Sequence, residues 1–286
     1  MQGIREYNKK INSLKNTRKI TSSMKMISSV KLQRYTKLKQ VATPFWESAR
    51  EVFTRNNDFF AKNHSVFLDG FPSPRKNLIL MISSDRGLCG RYNSNIIRNA
   101  IQLYDTFDSQ GRQTSFSFIG SKGYTFFKRC KLPVHKYYEE IHNPDFSSTN
   151  KIADELLEDF VRGTFHEIWV VYSRKILLAE EPVSERLLPF EKTNTTVSQN
   201  DNIIIEEKPE VLLQNYVKMT IRAAVYKAHF ESTVSEHSAR MSAMDTATTN
   251  CDQMIQRYIK LRNRARQTQI TTELSEIVSG KEAIDN

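Results

Sequence analysis

The chain has 286 residues, and its 42 lysines and arginines against 32 aspartates and glutamates give a net charge of +10. Its hydrophobic fraction of 39% is that of a folded globular protein. Since no apolar run reaches about 18–20 residues, we do not expect the chain to cross a bilayer. The three cysteines, Cys89, Cys130 and Cys251, are scattered, which excludes a disulfide scaffold and a cysteine zinc site.

The positive charge is concentrated in the first part of the chain. Residues 1–39 contain eleven basic side chains and one acid, Glu6. The net charge of this segment is therefore +10, the same as that of the whole chain. The rest of the chain is balanced. Such a stretch is typical of a solvated helix face, or of a surface that faces nucleic acid, anionic lipid or a carboxylate-rich protein.

Two stretches without glycine or proline predict two long helices. They cover residues 4–43 and 210–279. As one helix, the second would be about 105 Å long, whereas helices in compact domains have about 8–20 residues. We expect Thr43-Pro44 to break the first helix, since threonine can cap a helix and proline suits its first turn.

Heptad spacing predicts that the two helices pair along a seam. The N-terminal side begins with Ile4, Tyr7, Ile11 and Leu14. We predict that it resumes one residue early, which would overwind the supercoil, along Ile20, Met24, Ile27, Lys31, Arg34, Leu38 and Val41. The C-terminal side is predicted to comprise Met241, Met244, Thr248, Cys251, Ile255, Tyr258, Arg262 and Ala265. So polar a seam indicates that something outside the chain helps to hold the helices.

The middle of the chain alternates predicted strands and helices. The predicted strands are 78–82, 116–119, 134–138 and 168–172, and the predicted helices are 96–107, 124–130 and 152–160. This order favours a small, mostly parallel sheet with right-handed crossovers. The polar segment Thr193–Asn202 is expected to link the sheet to the last helix. We therefore divide the chain into an N-terminal helix over 1–62, a central α/β domain over 75–200 and a C-terminal helix over 208–286.

No motif predicts catalysis, a metal or a cofactor. The sequence has no GxxxxGK[ST], GxGxxG or HExxH, and its six histidines form no i,i+4 pair. The glycines of 87–90 and 120–123 would allow backbone amides to bind an anion, although tight turns explain them better. Cys89 would be a nucleophile only beside a base. A nucleotide-handling or redox enzyme built on the central domain is one alternative function, and the glycines of 87–90 are its only motivation.

Four motifs in order resemble the γ subunit of F-type ATP synthases. They are Lys19–Met26 with Ser29–Leu32, Ser83–Gly90 with Asn93–Asn95, Ser238–Thr248 with Asn250, and Asn263–Gln267 with Ile270–Ile277 and Gly280. Lys281 departs from the family pattern. Residues 60–75 and 190–207 show no likeness to the family, and their role stays open.

The resemblance implies a fold and a mechanical function. The fold is a long antiparallel coiled coil of the N- and C-terminal helices plus a central Rossmann-like α/β domain. The chain would be the non-catalytic rotor shaft that couples rotation of the membrane c-ring to ATP synthesis or hydrolysis at the β subunits. Its partners would be the α and β subunits of the hexamer, ε/δ-type stalk subunits and the c-ring, with no nucleic acid. The alternative is a basic coiled-coil protein that binds nucleic acid.

Motif position also implies the contact residues. Contacts with the α/β hexamer are expected at Met24, Lys25, Arg266, Gln267, Ile270, Glu273, Leu274 and Ile277. Lys10, Lys19 and Lys31 would form a basic face, with Lys25, toward acidic loops of the β subunits. Ile270, Leu274, Ile277 and Val278 extend past the shorter N-terminal helix. Because burying each would contribute about 1.5–3 kcal/mol, we expect an outside sleeve around them.

The same resemblance implies a peripheral position on an energy-transducing membrane. This would be the cytoplasmic face of a bacterial plasma membrane or the matrix face of the mitochondrial inner membrane. No leader rich in arginine and serine precedes the first motif, which fits either a bacterial or a processed organellar protein. Residues 131–250 contain no cysteine pair, which argues against the redox-regulated chloroplast form.

Overall fold

The computed structural model describes residues 2–55, 65–139, 141, 144–176, 179–190 and 209–285. The elements in chain order are α1 (Gln2–Arg55), α2 (Val66–Asp69), β1 (Lys76–Ile82), α3 (Tyr92–Ser109), β2 (Gln113–Ile119), α4 (Ser121–Arg129), β3 (Val134–Tyr138), α5 (Phe146–Val161), β4 (Glu167–Ile176), β5 (Ala179–Leu188) and α6 (Pro209–Asp285). They belong to two compact units, residues 1–29 with 240–286 and residues 30–239. Both long helices, α1 and α6, contribute to each unit.

A five-stranded sheet forms the centre of the unit over residues 30–239, with the order β3-β2-β1-β4-β5. The pairs β1·β2, β1·β4 and β2·β3 are parallel, and β5 adds an antiparallel edge strand. The buried run of β1 reads as a strand covered on both faces, which is typical of parallel sheets. The prediction of a Rossmann-like α/β domain is confirmed.

Helices cover both faces of this sheet. On one face, Ile79 and Met81 of β1 pack with α3 and α4, which follow β1 and β2 in the chain. On the other face, Leu78 and Leu80 pack with α5 and with the first part of α6 around Leu213–Ala228. The segment over 30–55 of α1 packs through Tyr35 and Trp46 on Phe230 of α6.

In the other unit, α1 and α6 form an antiparallel helix pair. The rings of Tyr7 and Tyr258 lie 6.2 Å apart between centroids, and the Oγ1 atoms of Thr21 and Thr248 lie 2.8 Å apart. A higher residue number on α1 therefore meets a lower one on α6, so the helices run in opposite directions. The predicted C-terminal side of the seam is confirmed, since every position from Met241 to Ala265 at that spacing is buried or half-buried.

The predicted shift of the N-terminal seam is wrong. Ile20 and Ile27 are 61% and 59% exposed, whereas Thr21 and Ser28 are buried. The heptad simply continues from Leu14 without losing a residue, because polar side chains that pair with α6 occupy it. Further along α1, in the unit over 30–239, Lys31, Arg34 and Leu38 are exposed and Tyr35 is buried. Met24 is half-buried, and the side chain of Val41 is outside the described residues.

The predicted break at Thr43-Pro44 is also wrong. α1 passes through Pro44 without interruption. The Thr43 hydroxyl donates to the Lys39 carbonyl at 2.7 Å, which adds a hydrogen bond at the turn where proline lacks its N–H.

The predicted strands and helices of the middle are all present, the strand over 134–138 with the predicted bounds and most of the others longer, but two elements were missed. These are α2, capped by Ser65, and the edge strand β5. The predicted linker Thr193–Asn202 lies outside the described residues. The three-part division at 62, 75, 200 and 208 therefore stays a prediction.

Candidate functional site

Polar contacts replace apolar ones along part of the helix pair. Arg18 bonds to Asp252, the Lys25 Nζ lies 2.6 Å from an Asp245 oxygen, and the hydroxyl of Thr248 donates to that of Thr21. The two side chains of the Lys25–Asp245 pair are 44% and 57% exposed. Solvent screens such pairs, so they hold the helices together only weakly.

Apolar side chains lie on the outer surface of α1 in the same unit. Ile20, Met26 and Ile27 are 61%, 72% and 59% exposed. The helix pair is therefore polar along part of its inner seam and apolar at positions on its outside. Large exposed apolar side chains grouped on one surface are typical of an interaction site.

Among the described residues, no helix pairs with the last part of α6. Arg262 reaches Asn8 near the start of α1, and since the helices are antiparallel, the positions beyond it soon pass the first residue of α1. Ile270, Leu274 and Ile277 are 48%, 58% and 67% exposed and recur on one helix face. By contrast, Ile255 in the paired part of α6 is 7% exposed.

The other predicted contact residues near this end are exposed as well. Arg266, Gln267 and Glu273 lie on the surface, and Glu273 accepts a hydrogen bond from Gln269 one turn earlier at 2.7 Å. The structure thus groups the six C-terminal predicted contact residues on one uncovered helical segment. It does not group them with Met24, which is half-buried in the helix pair.

Two of the four lysines of the predicted basic face already form ion pairs with carboxylates of the chain. Lys10 forms an ion pair with Glu6 at 2.9 Å, which lowers the pKa of Glu6 and raises that of Lys10, and it also lies over the Tyr258 ring. Lys25 pairs with Asp245. Lys19 and Lys31 are exposed, and no carboxylate of the described chain pairs with either.

The sequence analysis did not predict Asp245 and Asp252 as the partners of Lys25 and Arg18. A signal was present, because these two carboxylates are seven residues apart, as are Arg18 and Lys25. In an antiparallel pair, cations and carboxylates with equal heptad spacing can face one another in register.

The second glycine-rich turn of the central domain, residues 120–123, is closed by its own hydrogen bonds. The Ser121 N–H donates to an Asp85 carboxylate oxygen at 2.9 Å, and the Gly123 N–H donates to the Ser83 hydroxyl at 2.9 Å. Gly120 has φ of 94°, and a Cβ there would lie 2.1 Å from the Ser83 carbonyl oxygen. Glycine is thus required by close packing, and these amides have no vacant position for an anion.

Cys89 is likewise a packed side chain. It is 2% exposed, and its Sγ accepts a hydrogen bond from the Asn93 amide at 3.2 Å. Asn93 also joins Ser84, so the motif over 83–95 is one interlocked turn.

Helix α6 occupies the crevice where folds of this class bind nucleotides, at the carboxyl ends of β1 and β4. The hydroxyl of Ser232 lies 2.6 Å from that of Tyr92 and donates to the Ile82 carbonyl at the end of β1. The hydroxyls of Ser235 and Ser173 lie 2.7 Å apart. Since Ser232 and Ser235 are almost fully buried, the crevice is filled by the protein itself.

Among the described residues, no group of three or more His, Cys, Asp or Glu side chains is arranged to hold a metal ion. Within the same residues, no helix is both long and apolar enough to span a membrane.

The sequence matches one family over almost its whole length. The family described as ATP synthase matches residues 3–284. The chain is 35% identical to the ATP synthase gamma chain of Geotalea uraniireducens, with 99% of both chains covered. It is 34% identical to the gamma chain of Leptospira biflexa, with 98% of both covered. The chain belongs to the ATP synthase gamma chain family.

Solved structures agree in fold with this family. The chain resembles one from the central stalk and c-ring of the Tetrahymena thermophila mitochondrial ATP synthase, with a TM-score of 0.61, 22% identity, and 80% and 99% of the two chains covered. It also resembles one from the rotor of the Euglena gracilis enzyme, with a TM-score of 0.65, 16% identity, and 93% and 98% covered. These likenesses show that the chain shares the fold of these two proteins, which agrees with its membership of the gamma chain family.

Proposed function

We propose that this chain is the rotating shaft of an F-type ATP synthase. It transmits the rotation of a membrane ring to the catalytic β subunits, where ATP is made or hydrolysed. The chain itself carries no catalytic site. The observation that carries this proposal is the uncovered end of α6, where a regular helix continues beyond its partner with large apolar side chains exposed.

The energetics of this segment favour a surrounding partner. An exposed side chain of the size of leucine or isoleucine contributes about 1.5–3 kcal/mol when it becomes buried. Ile270, Leu274, Ile277 and Val278 are all exposed in the isolated chain. A ring of α and β subunits around the segment would bury them, and the neighbouring Arg266, Gln267 and Glu273 would supply polar contacts.

A shaft must also avoid binding any one β subunit too firmly. Exposed ion pairs suit this requirement because each contributes only about 0–1 kcal/mol. Lys19 and Lys31, which have no partner in the described chain, are available to acidic loops of the β subunits as they pass. Lys10 and Lys25 would exchange their present carboxylates, Glu6 and Asp245, for those of the partner.

The remaining partners and the location belong to the same proposal. We assign the ε/δ-type stalk subunits and the c-ring as partners, as the family likeness implies. The membrane is a bacterial plasma membrane or a mitochondrial inner membrane, with the chain on the cytoplasmic or matrix side.

The two alternative functions have less support. Of the eleven basic side chains in residues 1–39, Lys10, Arg18, Lys25 and Lys39 are already paired with carboxylates of the chain, which lowers the positive charge available to a nucleic acid. A nucleotide-handling enzyme needs an open crevice at the sheet, which α6 fills with Ser232 and Ser235.

The proposal is tested by adding charge to the exposed apolar stripe. We expect the double variant Leu274→Glu/Ile277→Glu, assembled with its α and β subunits and membrane sector, to lose ATP-driven proton pumping at least about tenfold, since two carboxylates would have to be desolvated. The matched control is Thr272→Glu/Ser279→Glu, which adds the same charge to the opposite face of the same turns. It should retain most of the pumping. Unchanged pumping in both variants would refute the proposal, as would equal loss in both.

A further inference from the structure

A groove runs between α3 and α4 on the face of the sheet that these helices cover. Its volume is about 700 Å³. Ile97 and Ile101 of α3 and Phe126 of α4 form its apolar part. Phe126 is 37% exposed, although the neighbouring Phe127 is fully buried in the core. The Phe126 ring packs edge-on against Phe127, with 5.7 Å between the ring centroids, and still leaves more than a third of its surface exposed in the groove.

The charges around the groove have one sign. Arg98, Lys122 and Arg129 line it, all three are exposed, and no aspartate or glutamate is among its lining residues. Within the described part of the chain, none of the three forms an ion pair. Three unpaired cations around an apolar surface repel one another, and an anionic partner would relieve that repulsion.

We propose that this groove binds a short acidic amphipathic helix of another protein. The part of α3 that lines the groove extends from Asn93 to Gln102, which is about 14 Å at the helical rise and matches about two and a half turns of a bound helix. The apolar face of the partner would pack on Ile97, Ile101 and Phe126, as amphipathic helices do in other grooves. Its carboxylates would pair with the three surrounding cations.

The local geometry favours a peptide over a small anion. The N–H groups that open α4 are taken by Asp85, by the Ser84 carbonyl and by the Ser83 hydroxyl. A phosphate would find side-chain cations but no vacant amides, and it would leave the apolar surface exposed. An acidic helix uses both the charge and the apolar area.

This inference is independent of the shaft function. Of the lining residues, only Gly90, Asn93 and Ser94 belong to the family motifs, and Asn93 is engaged with Ser84 and Cys89 inside the turn. The cations and apolar residues that carry the inference lie outside those motifs.

Binding of a defined peptide to the full-length chain tests the proposal. The probe is a fluorescein-labelled helical peptide of twelve residues, with leucines on one face and glutamates on the other, and the readout is fluorescence anisotropy. We expect Arg98→Glu, Arg129→Glu and Phe126→Ser each to weaken binding at least about tenfold. The control is Lys151→Glu, which reverses an exposed lysine of α5 on the opposite face of the sheet and should leave affinity unchanged. Circular dichroism would verify that each variant is folded.

Two further binding measurements distinguish a helix-binding groove from a charged surface and from a membrane-binding surface. A peptide of the same composition with its leucines distributed around the helix should bind at least about tenfold more weakly. Equal binding of the two peptides, or equal weakening by Lys151→Glu, would show non-specific charge attraction and overturn the proposal. The second measurement uses vesicles of phosphatidylcholine with one quarter phosphatidylglycerol. If they bind with the same dependence on Arg98 and Phe126 while the peptide does not bind, the groove is a membrane-binding surface instead.

Discussion

The central sheet and the helix pair bury different kinds of side chain. Leu78, Ile79, Leu80 and Met81 of β1 are 0% exposed and pack on both faces of the sheet. In the helix pair, the corresponding inner positions include Thr21 and Ser28, while apolar residues of α1 lie outside.

This difference distinguishes a domain that is stabilised by its own buried side chains from a region whose exposed apolar side chains we propose to be in contact with partners. A fully buried leucine or isoleucine contributes about 1.5–3 kcal/mol, whereas an exposed ion pair such as Lys25–Asp245 contributes about 0–1 kcal/mol. The sheet therefore needs nothing from outside the chain. The helix pair leaves much of its apolar surface exposed, which fits the proposed contacts with other proteins.

The largest expected effect comes from truncating one leucine in each of the two regions. We expect Leu80→Ala to lower the free energy of unfolding of the central domain by about 2–5 kcal/mol, because it removes packed methyl groups and leaves a cavity. Leu274→Ala deletes the same atoms from a side chain that is 58% exposed and should change that free energy by less than about 0.5 kcal/mol. Urea unfolding followed by the fluorescence of Trp46 and Trp169 measures both. Similar losses in the two variants would mean that the exposed end of α6 stabilises the domain, which would break the comparison.

The second test uses a titratable group in the apolar region. His229 of α6 is 4% exposed, and burial lowers the pKa of His229 to about 4, partly opposed by the Asp85 carboxylate. Since the unfolded chain binds a proton near pH 6.5, the stabilising contribution is complete above that pH and is lost as the pH falls toward 4. Relative to His229→Gln, the natural chain should lose up to about 1.4 kcal/mol of stability per pH unit in that window.

Chemical unfolding at a series of pH values between 4 and 7 gives this difference, and the slope rather than the absolute stability is the readout. Parallel curves for the two proteins would mean that His229 is protonated in the folded state. In that case, the central domain would tolerate a buried charge and the comparison would need revision.

Sequence reasoning succeeded where side-chain type and position agree. Met244, Cys251 and Ile255 recur at heptad spacing and are buried in the pair. The strand over 78–82 is a short apolar run, and the structure buries it completely. In both cases, hydrophobicity alone identifies the buried positions.

Sequence reasoning failed where the type of a side chain does not match its position in the structure. Ile20 and Ile27 were assigned to the seam because they are apolar. In the structure, Arg18, Thr21 and Lys25 make the contacts with α6 instead. The strand β5 was missed because it is an edge strand that contains Pro182 and two adjacent glutamates, and only its pairing with β4 makes it a strand. The exposure of Ile270 and Leu274 was predictable from the different lengths of the two helices. Which partner covers them depends on surfaces that this sequence does not encode.

The third test uses a half-buried ion pair of the central domain, whose expected contribution to stability lies between that of a buried leucine and that of an exposed ion pair. Arg222 of α6 donates two hydrogen bonds to Asp154 of α5, and these bonds lower the pKa of Asp154. We expect Asp154→Asn to cost about 1 kcal/mol at pH 7, since both side chains remain about one-third exposed to solvent.

The pH dependence of that cost has a defined sign. Because the folded state lowers the pKa of Asp154, its stabilisation is present above about pH 4, the ordinary aspartate value, and disappears as the pH falls through the lower folded value. Urea unfolding at pH 7, 4 and 2.5 should show the difference between the natural chain and Asp154→Asn shrinking toward zero. A difference that persists at the lowest pH would indicate lost packing rather than a lost ion pair.

The smallest effect is expected in the helix pair itself. A double-mutant cycle of Lys25→Ala and Asp245→Ala should give a coupling energy of about 0–1 kcal/mol, which salt should reduce, because both side chains are largely exposed. Native-state hydrogen exchange of peptides within residues 18–28 reports the local opening free energy that this requires. Lys19→Ala is the control, since it removes a lysine that has no carboxylate partner in the described chain. If Lys25 and Asp245 coupled by more than about 2 kcal/mol, as buried charge pairs do, the pair would be a fixed part of the fold. Lys25 could not then exchange its partner as the shaft turns, and the contrast with the central sheet would disappear at that position.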